Sequence, residues 1–193
     1  NTIAIWCSNE KCDAIYPQSA DFTFYGGLYR GAHLICVPET HFELLHYGDL
    51  GIHAATEPAS WDKEDFMLHI RTKICGVEKD NQVIYQIFDE DGKEVAGAAR
   101  PADSPDTSIP LYKPHRWDIK NGYQYTLKAL IMRNNECLDE VELKFGVRTF
   151  CCDPGRGFII NGNCVPLRGV SRHQDKLYQG NALTKEDHIR DAE

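Results

Sequence analysis

"QVIYQIFDEDGKEVAGAA", residues 82–99, is the stretch that decides the fold. Two arms rich in β-forming residues flank the pair Asp91-Gly92. An Asp-Gly pair tolerates the positive φ angles of a tight two-residue turn. The stretch therefore predicts a β-hairpin.

Similar strand patterns lie on both sides of this hairpin. Residues 49–58, 65–76 and 107–112 each predict a strand, and residues 123–132 and 139–150 predict a second hairpin across "RNNEC". Phe66, Leu68 and Ile70 share one face of their strand, with Ile74 beyond them. About seven short strands separated by turns, between Gly51 and Phe150, are typical of an immunoglobulin-like β-sandwich. The density of β-branched and aromatic residues argues against a helical domain.

The two ends of the chain carry different signals. Strands are predicted over "TIAIWC" (residues 2–7) and over residues 22–37, whereas "ALTKEDHIRDAE" (residues 182–193) predicts a helix capped by Thr184 with Asp187 three residues later. A chain that starts within a strand pattern and stops within a helix leaves backbone groups unsatisfied. We therefore expect a segment of a longer protein, with a β domain before the sandwich and another domain after it.

Composition excludes several classes of function. The net charge is −8 and the sequence pI about 5.5, without a Lys/Arg cluster, so we expect neither nucleic acid nor a membrane surface as a partner. No apolar run approaches the length of a membrane span. The eight cysteines show no paired C-x2-4-C spacing, and five lie in apolar, strand-like runs. We expect free, reduced thiols and a cytoplasmic protein; a periplasmic parent with an upstream signal stays open.

A second stretch, "RGFIINGNCVPLRGVSRHQD" (residues 156–175), combines a turn with a polar cluster. Two apolar runs flank Asn161-Gly162, another pair suited to a tight turn. The polar residues Ser171 to Asp175 follow directly.

This stretch, with "GNALTKEDHIRD" (residues 180–191), resembles glycoside hydrolase family 2, which includes bacterial β-galactosidases, β-glucuronidases and β-mannosidases. Residues 21–35 and 123–150 also resemble the family, so the resemblance runs along nearly the whole chain in order. The residues that match the family motif are Asn161, Gly162, Arg168, Gly169, Val170, Arg172 and His173. Ser171 stands where Asn is common, and Gln174-Asp175 replace the frequent Glu-His.

The resemblance implies an order of domains. Residues 1–45 would be the end of a jelly-roll sugar-binding domain, residues 46–152 the immunoglobulin-like β-sandwich, and residues 153–193 the start of a (β/α)8 catalytic barrel. "CVPLRGV" (residues 164–170) would be the first barrel strand and residues 171–175 its carboxyl end, where barrel enzymes carry their chemistry.

The resemblance also implies roles for three residues in the parent enzyme. His173 would contact the sugar and support the transition state, Arg172 would pair with nearby carboxylates, and Asp175 would lie near the sugar subsite. His53, His69, His115 and His188 are expected to be surface or strand-lining residues without such a role. The catalytic nucleophile and acid/base would lie outside the segment. In the family the acid/base Glu follows an Asn, and the two Asn-Glu pairs here, Asn9-Glu10 and Asn135-Glu136, fall outside the barrel part.

The implied function is retaining hydrolysis of terminal β-galactosides by the parent, with this segment inactive alone. A β-glucuronidase or β-mannosidase stays open, as does a stand-alone sandwich that binds carbohydrate through Trp61 or Trp117 or mediates domain contacts. An adhesion domain fits less well, because no export signal is visible.

No cofactor is expected in the segment; a Mg²⁺ ion in the parent would have ligands outside it. Exposed strand edges would favour a homo-oligomer.

Overall fold

The structure is a computed structural model that describes residues 2–14, 23–46 and 48–193. The chain divides into two compact units. One is formed by Cys36–Leu167 and the other by Asn1–Ile35 together with Arg168–Glu193.

The described residues form twelve strands and one helix, nearly all within the first unit. They are β1 (His41–Phe42), β2 (Ile52–Pro58), β3 (Phe66–Thr72), β4 (Ile74–Cys75), β5 (Gln82–Phe88), β6 (Glu94–Pro101), β7 (Thr107–Leu111), β8 (Tyr125–Arg133), β9 (Glu136–Phe145), β10 (Phe150–Asp153), β11 (Gly157–Ile160), β12 (Asn163–Cys164) and α1 (Lys185–Ala192). The helix α1 is eight residues long, too short and too polar to reach across a bilayer, so no described helix could span a membrane.

Two antiparallel sheets make the predicted immunoglobulin-like β-sandwich. One has three strands in the order β2-β3-β7 and the other four in the order β6-β5-β8-β9. Two smaller sheets, β1-β4 and β10-β11-β12, complete the unit. The all-β fold class is therefore confirmed, with the seven strands of the two large sheets matching the predicted number.

The core lies between the two large sheets. Alternate residues of each strand turn inward, which is the period of a strand with one buried face. The buried side chains include Phe66, Leu68 and Ile70 of β3, Val83, Tyr85 and Ile87 of β5, and Leu127, Ala129 and Ile131 of β8. The predicted apolar face of β3 is thus confirmed, while Ile74 on β4 is half-buried at its margin.

Local turn chemistry sets the hairpins where they were expected. Between β5 and β6, the Asp89 carboxylate accepts hydrogen bonds from the Asp91 and Lys93 amides (3.1 and 2.9 Å), and Gly92 has φ +77°. Asn134 and Asn135 both adopt positive φ between β8 and β9. Positive φ at both central residues is typical of a type I′ turn, whose twist matches the flanking strands.

The strands predicted near the amino terminus are wrong for the described residues. Residues 2–14 and 23–40 contain no strand; Phe22 lies outside the described residues. Ile3, Ile5 and Trp6, whose alternation suggested a strand, are exposed. An alternating pattern becomes a strand only when a neighbour takes up its backbone hydrogen bonds, and no described segment does so here. The assignment of residues 1–45 to a jelly roll stays a prediction.

The predicted first barrel strand is also wrong in its extent. Of residues 164–170 only Cys164 belongs to a strand, the short β12, and residues 165–170 have no regular structure. No described strand lies beside them, and a parallel barrel strand needs neighbours on both sides. The predicted helix is confirmed: α1 begins after Thr184, with a complete capping box to Asp187.

The cysteines are free, as expected, but their environment differs from the prediction. All eight lie in the described residues and none forms a disulfide. Seven are exposed and Cys75 is partly buried, so they are not core residues. Cys137, Cys151, Cys152 and Cys164 lie on the edge strands β9, β10 and β12, where only one neighbouring strand covers the chain.

Candidate functional site

The segment carrying Arg172, His173 and Asp175 belongs to the unit formed by the two ends of the chain. The Arg30 guanidinium donates a hydrogen bond to the Gln174 side-chain oxygen at 2.9 Å, across 144 positions of sequence. Gly180, at φ +56°, approaches the Tyr25 ring so closely that a Cβ there would lie 3.1 Å from a ring carbon. Residues 23–35 therefore hold the carboxyl-terminal segment at two points.

Arg172 is bound to the helix α1. Its guanidinium donates two hydrogen bonds to the Asp191 carboxylate, the one from Nε at 3.1 Å, and Nη1 lies 3.1 Å from Nδ1 of His188. Because a guanidinium only donates, Nδ1 of His188 must accept, which places the proton of a neutral imidazole on Nε2. Within this chain Arg172 thus pairs with the Asp191 carboxylate, and its role in the parent enzyme stays a prediction.

Lys176 extends this charged network. Its ammonium lies 2.9 Å from an Asp191 oxygen and 3.4 Å from an Asp187 oxygen. Hydrogen bonds from Arg172 and then Lys176 lower the pKa of Asp191. One helix face thus anchors the chain at positions 172 and 176, four residues apart.

Asp187 fixes the start of the same helix. Its Oδ2 accepts hydrogen bonds from the Thr184 amide (2.9 Å), the Thr184 hydroxyl (3.0 Å) and the Gln179 amide group (2.9 Å). These bonds, the Thr184 amide first, hold the pKa of Asp187 well below its usual range, so the carboxylate stays charged at neutral pH. The capping box therefore also ties down residues 176–184.

His173 lies between two anchored neighbours. Arg172 is bound to α1 and Gln174 to Arg30, while the His173 side chain is exposed and Asp175 is partly buried. The structure thus places an imidazole on a short segment held from both sides. This arrangement can present a hydrogen-bonding group in a fixed position, as a binding site requires.

Sequence reasoning missed the residues that hold Arg172. His188 was expected to have no role, and Asp191 was not considered. The available signal was helical spacing, since Asp191 lies four residues after Asp187 and three after His188. Helical spacing predicts that these residues lie near one another on α1. Their contacts with Arg172 are visible only in the structure.

The tryptophans of the sandwich bear on the carbohydrate-binding alternative. The Arg148 guanidinium lies 4.8 Å from the centre of the Trp117 ring, and Gly146 packs against the same side chain. Trp117 is thus engaged in packing. Trp61 is 55% exposed, but its indole N–H is bound to Asp65 at 2.8 Å.

Comparison with known proteins places the chain in a family. Residues 56–148 match the model of the glycosyl hydrolases family 2. The crystal structure of an FMN-binding β-glucuronidase from Faecalibacterium prausnitzii L2-6 is 47% identical, with a TM-score of 0.89 over 96% of this chain and 28% of that one. The chain belongs to glycoside hydrolase family 2.

The curated relatives of this family 2 chain differ in their named substrates. A β-glucuronidase of Bacteroides fragilis is 29% identical over 99% of this chain and 28% of its own length. A β-galactosidase of Bacteroides ovatus is 30% identical over 68% of this chain and 16% of its own. The chain thus spans less than a third of the length of either relative. The resemblance inferred from the sequence is confirmed at the level of the family.

Proposed function

We propose that the protein containing this chain hydrolyses terminal β-glycosides with retention, and that its substrate is a β-glucuronide. The observation that carries this proposal is the 47% identity, over 96% of the chain, to a protein named as a β-glucuronidase. The B. fragilis relative with the same name supports it over 99% of the chain. Asp175 supports it too, because an Asp at this position also occurs in the β-glucuronidase pattern of the family that the sequence resembles.

A β-galactoside is the second candidate substrate. It is the substrate that the resemblance to the family first implied. The 30% identity to the B. ovatus β-galactosidase, over 141 residues, supports it.

In the proposed enzyme His173 hydrogen-bonds the sugar as charge develops, Asp175 lies near the sugar subsite, and Arg172 is a positioning residue. The ion pair between Arg172 and Asp191 supports the positioning role, because it fixes the residue next to His173. The bond between Arg30 and Gln174 supports it from the other side. Positioning of this kind contributes to catalysis by holding groups in their reactive geometry beforehand.

The catalytic carboxyl pair of a retaining glycosidase, about 5 Å apart, would come from outside this chain. Of the two Asn-Glu pairs, Asn135 lies in the turn before β9 and Glu136 begins that strand, while Glu10 is exposed in the other unit. We therefore expect the segment alone to be inactive. Any Mg²⁺ ion of the parent would likewise be held by residues beyond it.

Two properties of the parent follow as proposals. The eight free cysteines, seven of them exposed, support a reducing compartment such as the cytoplasm. The outer strands of the two large sheets, β2, β7, β6 and β9, each have one neighbour within their sheet, which supports self-association through strand edges.

The test is hydrolysis of nitrophenyl β-glucuronide, β-galactoside and β-mannoside by the parent enzyme, with His173→Ala, Arg172→Ala and the matched control His69→Ala. His69 is a partly exposed histidine of the sandwich that is bound to Glu57 and Ser108, so it controls for loss of an imidazole. We expect cleavage of the glucuronide and a loss in kcat/KM of about a hundredfold for His173→Ala. The control should keep its activity.

The role of Arg172 has its own readout. If Arg172 acts by positioning, Asp191→Asn should lower kcat/KM, as Arg172→Ala does. It should leave the preference among sugars unchanged. Cleavage of the galactoside alone would make the second candidate correct. Full activity of His173→Ala would show that His173 does not have the proposed role.

A further inference from the structure

We propose that His46, Asp49 and His53 form a binding site for a divalent transition-metal ion with the preferences of Zn²⁺. The Asp49 Oδ2 atom lies 2.7 Å from Nδ1 of His46 and 3.0 Å from Nε2 of His53. The three atoms all lie within 4.8 Å of one another. These three residues belong to the sandwich unit, whereas Arg172, His173 and Asp175 belong to the other unit.

The backbone holds this trio in place. His46 and Asp49 lie in the connection between β1 and β2, where the Asp49 amide donates to the His46 carbonyl (3.1 Å), and His53 is the second residue of β2. The other oxygen of Asp49 accepts a hydrogen bond from the Gly51 amide at 2.8 Å. The Gly51 carbonyl in turn accepts from the Lys73 amide (2.8 Å), between β3 and β4.

Such anchoring matters because a metal site needs its ligands oriented before the ion arrives. The Gly51 amide fixes the plane of the carboxylate, as the hydrogen bonds behind metal ligands commonly do. The two imidazole rings are nearly perpendicular, with centroids 5.8 Å apart, and both direct a nitrogen to the same carboxylate oxygen. The ligand atoms therefore converge without any rearrangement of the chain.

The donor set selects the class of ion. Two imidazole nitrogens and one carboxylate oxygen suit Zn²⁺, which binds such ligands at about 2.0–2.2 Å with water in the fourth position. Mg²⁺ and Ca²⁺ prefer oxygen ligands throughout. In a tetrahedral site these bond lengths place ligand atoms about 3.4 Å apart. The two measured separations are within an ångström of that value.

The exposure of the three side chains agrees with this assignment. The side chains of His46, Asp49 and His53 are 34%, 26% and 46% exposed, which leaves room for an ion and a water molecule. Binding would replace the two imidazole protons that now point at Oδ2, because a metal ligand must be deprotonated.

The experiment is isothermal titration of the full chain with ZnCl₂ after the thiols are blocked with iodoacetamide and bound metal is removed with a chelator. Blocking is needed because thiolates are strong zinc ligands and eight are free here. Wild type is compared with His46→Ala, His53→Ala and Asp49→Asn. The matched control is His69→Ala, which removes a histidine that is also paired with a carboxylate, 2.9 Å from Glu57, but lies outside the trio.

We expect each trio variant to bind one Zn²⁺ ion fewer per chain than wild type and His69→Ala. Thermal unfolding gives a second readout, since an ion that binds only the folded state raises Tm. Zn²⁺ should raise Tm more in wild type and His69→Ala than in Asp49→Asn, which keeps the size of the side chain.

Equal stoichiometry and equal Tm shifts in all variants would overturn the proposal, and so would loss of the same ion in His69→Ala. No glycoside enters the experiment, so its outcome is independent of the proposed hydrolysis.

Discussion

The hydroxyl oxygens of Tyr85 and Thr72 lie 2.7 Å apart and join the two sheets of the sandwich. Tyr85 belongs to β5 of the four-stranded sheet and Thr72 ends β3 of the three-stranded sheet. The Tyr85 hydroxyl donates to the Pro105 carbonyl at 2.9 Å, so its single proton is used there. Thr72 must therefore donate to Tyr85. A polar bridge thus crosses an otherwise apolar core.

Replacing Tyr85 with Phe should lower the free energy of unfolding by about 1–3 kcal/mol, because the buried Thr72 hydroxyl and the partly buried Pro105 carbonyl each lose a hydrogen bond. The measurement is urea unfolding of Tyr85→Phe beside wild type. Tyr112→Phe is the control, since Tyr112 is 72% exposed and its hydroxyl should contribute less than about 0.5 kcal/mol. Equal stability of the two variants would mean that the bridge contributes nothing net.

Alkaline pH should destabilise the fold through the same residue. Burial raises the pKa of Tyr85 to about 12, above the value of about 10 in an unfolded chain. Because the folded pKa is the higher one, the contribution to stability is complete below pH 10 and is lost as the pH rises towards 12. Two pKa units correspond to about 2–3 kcal/mol.

Urea unfolding between pH 9 and 12 checks this, with Tyr85→Phe beside wild type. Wild type should lose stability more steeply than the variant over this range. Some loss should persist in the variant, since burial also raises the pKa of Tyr125. Parallel curves for the two proteins would show that Tyr85 ionises without penalty.

Local chemistry explains which elements the sequence predicted. Asp91-Gly92 and Asn161-Gly162 specify turns by their own backbone preferences, and both hairpins form there. The alternation over residues 2–7 is equally clear, yet no strand forms, because a strand depends on a partner that may lie anywhere in the chain. The candidate site shows the same limit: Arg172 and His173 were found by motif, whereas the pairing of Arg172 with Asp191 spans 19 positions and required the structure.

The Thr184 cap should control the stability of α1. Thr184→Ala removes the side-chain oxygen that accepts from the Asp187 amide at 3.3 Å, and loss of such a cap costs about 1 kcal/mol. Faster amide hydrogen exchange across Lys185–Ala192 is the expected result. Thr184→Ser keeps an accepting hydroxyl and is the control, so it should retain protection close to wild type. Identical exchange in both variants would mean that Asp187 alone holds the helix start.

Acid should loosen the same helix. The folded pKa of Asp187 is depressed, so its contribution is present above the unfolded value of about 3.9 and is lost as the pH falls below it. NMR chemical shifts of α1 residues should therefore move towards unfolded values below about pH 4. Asp187→Asn should show those shifts already at neutral pH, with little further change in acid. A wild-type helix unaffected at low pH would show that the carboxylate is not its anchor.

Gly51 should tolerate substitution less well than Gly92, although both are turn glycines of the sandwich with positive φ. It has φ +67°, and a Cβ there would lie 2.7 Å from both the backbone nitrogen and oxygen of Glu43. Gly92, the matched control, has φ +77° but meets nothing within 4 Å. Gly92→Ala should cost about 1–2 kcal/mol from the left-handed backbone alone. Gly51→Ala should cost more, because backbone atoms of Glu43 must also move.

Urea unfolding of the two variants measures the difference. Equal losses would mean that the segment around Glu43 shifts freely, and the anchoring of Asp49 through the Gly51 amide would then be weaker than the geometry indicates.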